Sequence, residues 1–171
     1  MFKYTSVILI LLSLLISCKS ETKKEVVDKP TANITVASFK EFEQVLNNVD
    51  DKTYVINFWA TWCAPCVKEL PYFEEITNNY HSDKVEVILV SLDFPDKIES
   101  KLLPFINKKK LKSKVIILDA PNENEWIPKI DESWSGSIPA TIIYNKNKRT
   151  FYGHSFTRDE LFTELEKFIK P

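Results

Sequence analysis

The stretch VINFWATWCAPCVKELPYF, Val55 to Phe73, decides the fold. With Thr53 and Tyr54 before it, its first part is β-rich and apolar at almost every position as far as Ala60, the pattern of a strand buried on both faces. From Ala64 to Tyr80 the spacing becomes helical. Cys63 and Cys66 stand at the junction, one helical turn apart. A cysteine at a helix start meets unpaired backbone amides and the positive end of the helix dipole, so the Cys63 thiol is expected to ionise readily. Cys66 is then close enough to attack a mixed disulfide formed at Cys63, and the spacing favours a dithiol/disulfide switch.

Other uses of two such cysteines meet obstacles in the same chain. A structural zinc site takes about four ligands, and besides the pair the domain has only His81 and His154. Covalent haem attachment needs histidine directly after the second cysteine, where Val67 stands. A purely structural staple is chemically allowed, although so short a loop removes little chain entropy.

The composition narrows the classes further. With 23 basic and 24 acidic side chains the net charge is −1, which argues against a nucleic-acid partner. Gly136 and Gly153 are the only glycines, so the glycine-rich phosphate loops of nucleotide-binding proteins are missing.

The chain opens MFKYTSVILILLSLLISCKS, with Lys3, an apolar run from Val7 to Ile16 and small or polar residues ending at Cys18. This reads as a secretory signal, because the run is half the ~20 residues of a membrane span. Its end, Leu15 to Cys18, resembles the lipobox of bacterial lipoproteins, which implies cleavage before Cys18 and lipid on that residue. Residues 1–17 are then a signal peptide. Residues 18–33, mixed in charge and containing Pro30, read as a lipidated cysteine and flexible tether. Export places the remaining pair, Cys63 and Cys66, outside the cytosol, where disulfides persist.

Residues 34–171 are expected to form one domain. Ser38 and Glu41 make a possible capping box before a helix carrying Phe39, Phe42, Val45, Leu46 and Val49. After the central strand and helix, Val85 to Asp93 is a second buried strand, Pro95 opens a helix running toward Lys110, and KVIILDA is a third strand. A loop-rich stretch from Pro121 to Ser137, with Trp126 and Trp134 packing it onto the sheet, leads to Ala140–Asn145 and RTFYG, read as a hairpin around Lys146 to Lys148. Thr157 and Glu160 could cap a last helix. The lysine-rich run Asn107 to Lys114 reads as a solvated helix end. A βαβ unit, a ββα unit and material between them make an α/β sandwich around a mixed sheet.

FWATWCAPC followed by SIPAT resembles the thioredoxin superfamily, and CAPCVKELPYF resembles its extracytoplasmic, membrane-anchored TlpA/ResA-type branch, over nearly all of residues 34 to 171. The resemblance implies a thioredoxin-like fold with an extra strand-helix segment between the two halves. It implies that Cys63 attacks and Cys66 resolves, that Trp62 covers one side of the disulfide, and that Ala64 and Pro65 influence its potential. Pro71 matches a proline that kinks the helix. Pro139 matches the family's cis-proline, and the backbone of Ile138 the segment that pairs with an extended substrate. Asn57 stands where thioredoxins carry a buried aspartate and cannot titrate, whereas Glu69 matches an acid that the anchored branch places near the disulfide; burial there should raise its pKa.

The expected function is a lipid-anchored thiol-disulfide oxidoreductase facing the periplasm. It would be monomeric and without a cofactor, reduce cysteine pairs in exported proteins, with apocytochrome c one candidate client, and be recharged by a membrane thiol donor. Two other readings remain. A thiol peroxidase would need threonine three residues before Cys63, where Ala60 stands, and a binding or assembly lipoprotein would tolerate loss of Cys63.

Overall fold

The computed structural model describes residues 33–80 and 84–170. The expected signal segment, Cys18 and all of the tether before Asn33 lie outside the described residues, as does His81.

Six strands form one sheet in the order β1-β4-β3-β2-β5-β6: β1 (Ile34–Ser38), β2 (Thr53–Trp59), β3 (Val85–Ser91), β4 (Lys114–Asp119), β5 (Ala140–Tyr144) and β6 (Arg149–Tyr152). The first four in that order run parallel, β5 is antiparallel to β2, and β6 is antiparallel to β5. Among the described residues five α-helices pack on it: α1 (Phe39–Leu46), α2 (Ala64–Asn79), α3 (Leu103–Lys109), α4 (Glu123–Ile130) and α5 (Arg158–Ile169). The β2-α2-β3 and β5-β6-α5 units are the two halves anticipated from the sequence, and α3, β4 and α4 lie between them.

Every residue of β2 is buried, as its unbroken apolar run requires of a strand covered on both faces. Alternation sends Val55 and Trp59 into one core, with Leu70 and Phe73 of α2, Ile106 of α3 and Leu165 of α5. Tyr54, Ile56 and Phe58 enter the other, with Phe42 of α1 and Trp126 of α4. Both capping boxes form: Ser38 with Glu41 opens α1, and Thr157 with Glu160 opens α5.

Three segments differ from the sequence reading. Ile34–Ser38, which shows no long β-rich run, becomes a strand because its backbone pairs with β4, from Ile34 against Val115 to Ser38 against Asp119. The stretch expected to be loop contains the eight residues of α4, held by Trp126, whose Nε1–H donates to the Ala120 carbonyl at 2.9 Å, and by Ile130. The helix expected from Pro95 begins as a 3-10 turn over Pro95–Lys97 and a π turn over Ile98–Leu102, and becomes α-helical only at Leu103. Both tryptophans of that stretch pack inward: Trp134 lies 4.7 Å from Phe58 between ring centres, and Trp126 stacks on Phe39 at 6.0 Å. The lysine run is divided. Lys108 to Lys110 are exposed at the end of α3, while Leu111 and Ser113 turn into the protein.

Candidate active site

The cysteine pair sits where β2 hands the chain to α2. Cys63 is the N-cap of α2, and its Sγ accepts from the Cys66 backbone N–H at 3.3 Å; Pro65 lies within the first turn, where a missing N–H costs nothing. The two sulfurs are joined in a disulfide. Cys63 is 6% exposed and Cys66 fully buried, so an approaching sulfur can reach only the first. Ala64 and Pro65 are exposed between them.

The loop before Cys63 is tied down by Asp93, just beyond β3. Its carboxylate accepts from the Thr61 backbone N–H at 3.0 Å, the Thr61 hydroxyl at 2.5 Å and the Ser91 hydroxyl at 2.9 Å. Asp93 is almost fully buried, and these charge-assisted bonds fix the ends of β2 and β3 relative to each other. Trp62 follows Thr61 and Phe94 follows Asp93; their rings stack at 6.3 Å, and both are exposed. Trp62 therefore stands at the rim beside Cys63, leaning on Phe94.

The turn before β5 also reaches Cys63. The Ile138–Pro139 peptide is cis, as the resemblance implies, and the Ile138 carbonyl lies 3.8 Å from Cys63 Sγ. Pro71 falls inside α2, where its ring leaves the Val67 carbonyl without the usual donor four residues on.

Three residues after Cys66 along α2, Glu69 is 1% exposed. The Asn57 amide donates to one of its carboxylate oxygens at 3.0 Å and the Phe156 backbone N–H to the other at 2.7 Å. Burial pushes its pKa up from 4.5 to about 7, against the opposing pull of the two hydrogen bonds and of His154. Asn57, on β2, also donates to the Thr141 hydroxyl at 3.1 Å. The buried titrating acid thus sits on α2 instead of β2, and the asparagine at the strand position holds it. Among the described residues, Asn57 Oδ1 and Trp59 Nε1 are the buried side-chain polar atoms without a protein partner.

The structure brings Cys63, Cys66, Trp62, Ala64, Pro65, Ile138 and Pro139 to one end of the sheet, with Trp62, Ala64 and Pro65 exposed, Ile138 half-buried, and Cys66, Pro139 and Glu69 buried. Sequence reasoning missed Asp93, Phe94 and Phe156. Asp93 carried a weak signal, an acid at the end of a buried strand; Phe156, which contributes only a backbone amide, carried none. Among the described residues no cluster of three or more His, Cys, Asp or Glu side chains could hold a metal ion, and no helix is long and apolar enough to cross a membrane.

Comparison with known proteins agrees with this geometry. Residues 27–149 match the AhpC/TSA family. The thiol-disulfide oxidoreductase ResA of Bacillus anthracis is 30% identical over 151 residues, covering 88% of this chain and 81% of that protein. ResA of Halalkalibacterium halodurans is 26% identical over 127 residues, covering 74% and 67%. Among solved structures, a thiol-disulfide isomerase from Corynebacterium glutamicum superposes with a TM-score of 0.59 at 18% identity over 72% of this chain and 84% of that one. StoA from Bacillus subtilis superposes with a TM-score of 0.51 at 24% identity over 68% and 83%.

Proposed function

This chain belongs to the AhpC/TSA family of thioredoxin-like proteins, and from that premise we propose that it is a thiol-disulfide oxidoreductase of the cell envelope, anchored by lipid on Cys18, which reduces disulfides in exported proteins. The observation that carries the reading is the asymmetry of the pair: Cys63 caps a helix at the surface, and Cys66 is sealed behind it.

In the reduced protein the amides at the head of α2 stabilise a Cys63 thiolate. That thiolate attacks one sulfur of a client disulfide, forming a Cys63–client bond as the client disulfide breaks and its second sulfur leaves as a thiolate. Cys66, on losing its proton, attacks Cys63 Sγ, restoring the Cys63–Cys66 bond and releasing the first client sulfur. Two electrons pass from the protein dithiol to the client. Glu69, with a pKa near neutrality, is suited to take the Cys66 proton directly or through water. Ile138 offers its backbone to an extended client segment, by strand addition. A membrane thiol donor returns two electrons to the pair; apocytochrome c is one client such chemistry would serve.

The test is the potential of the Cys63–Cys66 couple, titrated in defined thiol buffers. A value near about −270 mV supports a reductase, one near about −120 mV an oxidase, and a pair that never exchanges reduces the disulfide to a staple. Cys66→Ser should accumulate a mixed disulfide with the client through Cys63, which non-reducing gels and mass spectrometry would identify. Labelling with a radioactive fatty acid, lost in Cys18→Ser, tests the anchor.

A further inference from the structure

Phe94 is an exposed aromatic ring that the redox chemistry does not use. It is 61% exposed, and its partner Trp62 58%, yet the backbone that carries each is held in place. Each directly follows a residue of the Asp93–Thr61 hydrogen-bonded clamp, and the Phe94 carbonyl accepts from Lys97 N–H at 2.8 Å in the 3-10 turn begun by Pro95. The clamp sets the two rings nearly parallel, 22° apart, as one apolar shelf. Trp62 adjoins Cys63 in the chain, and Cys63 Sγ lies 3.8 Å from the Ile138 carbonyl. A chain whose cysteine reacts at Cys63 therefore meets both a backbone acceptor and an aromatic shelf. The acceptor holds any extended polypeptide, whereas the shelf rewards only a side chain that gains by leaving water.

We propose that Phe94 is a specificity-determining residue, forming with Trp62 a subsite for an aromatic or bulky aliphatic side chain next to the reacting cysteine of an extended polypeptide. The occupant follows from continuity with the disulfide: whatever covers the shelf during reaction carries the sulfur bonded to Cys63. A flat, uncharged pair of rings offers offset-stacking and apolar contact, and no charge to pair with a carboxylate. The inference rests on the oxidoreductase reading above and adds the class of client to it.

The experiment uses the full chain, reduced and freed of reductant, with three disulfide probes: a homodimer of a short peptide with Phe beside its Cys, the same with Ser in place of Phe, and oxidised glutathione. Second-order rate constants are read by quenching with an alkylating agent and mass spectrometry. The native protein should prefer the Phe probe over the Ser probe by about tenfold, the scale of discrimination one apolar contact supplies. Phe94→Ser should bring that ratio close to one, and Phe94→Leu should retain most of it. A ratio near one in the native protein, or an equal ratio in native and Phe94→Ser, overturns the subsite while leaving oxidoreductase activity standing. Failure to reduce any of the three probes, glutathione disulfide included, overturns both.

Discussion

Replacing Glu69 by Gln should remove a specific pH dependence from the stability of the oxidised protein. Unfolded, the Glu69 carboxyl titrates near 4.5; folded, it titrates near about 7 because the ionised form is buried. Between those values the folded chain holds one more proton than the unfolded chain, so native stability falls as pH rises through this window. Below pH 4.5 both states are protonated and the penalty vanishes. Above about 7 it is complete, at about 3 kcal/mol from the displacement of the pKa, a ceiling for a site that relaxes on ionisation. Gln has nearly the same shape and never ionises. It does bring an NH2 group toward two existing donors, Asn57 Nδ2 and Phe156 N–H, but Asn57 can answer by turning its unpartnered Oδ1 toward that group. Any residual mismatch is a constant offset at every pH, whereas loss of the charge changes the slope. Urea unfolding of both oxidised proteins, at intervals from about pH 4 to about pH 8, separates the two. The stability of Glu69→Gln relative to native should rise by up to about 3 kcal/mol across the range. A difference that stays flat from acid to alkali would refute the buried-acid argument and, with it, the role of Glu69 as acceptor of the Cys66 proton.

Asn57→Asp places a second carboxyl about 3 Å from Glu69, and two such groups cannot both ionise; stability should fall more steeply with pH than in the native protein, and equal slopes in urea titrations would count against the contact. Asp93→Asn puts an amide where three donors now converge, and should lower stability by roughly 2 kcal/mol in chemical denaturation; a loss under about 0.5 kcal/mol would mean that the clamp does not hold the loop. Phe58→Ala empties a fully buried site between Phe42 and Trp134, and should cost about 3–5 kcal/mol at any pH. Thr157→Ala removes one half of the capping box of α5 and should cost about 1 kcal/mol, a value that thermal unfolding would check.

What was legible in the sequence was what local chemistry dictates. β2 could be read because a strand covered on both faces must be apolar throughout, the capping boxes of α1 and α5 because their partners lie three residues apart, and the cysteine pair because its function depends on one helical turn of separation. The resemblance carried by WCAPC and SIPAT supplied the pairing across the fold that no local pattern holds, bringing Pro139 and Ile138 to Cys63. Tertiary structure alone decided the rest. β1 is a strand only because β4 lies beside it, and Ile34–Ser38 has no burial pattern of its own to announce it. Glu69 looks like any glutamate on a helix until Asn57 of β2 and the Phe156 amide, 87 residues away in the chain, close around it and exclude water. Phe94 becomes a neighbour of Trp62 only because Asp93 reaches back 32 residues to Thr61. Periodicity records how a segment divides between core and solvent. Which distant residue completes a site is recorded nowhere in the segment itself, because the desolvation and hydrogen bonds that set its chemistry exist only after the strands have paired.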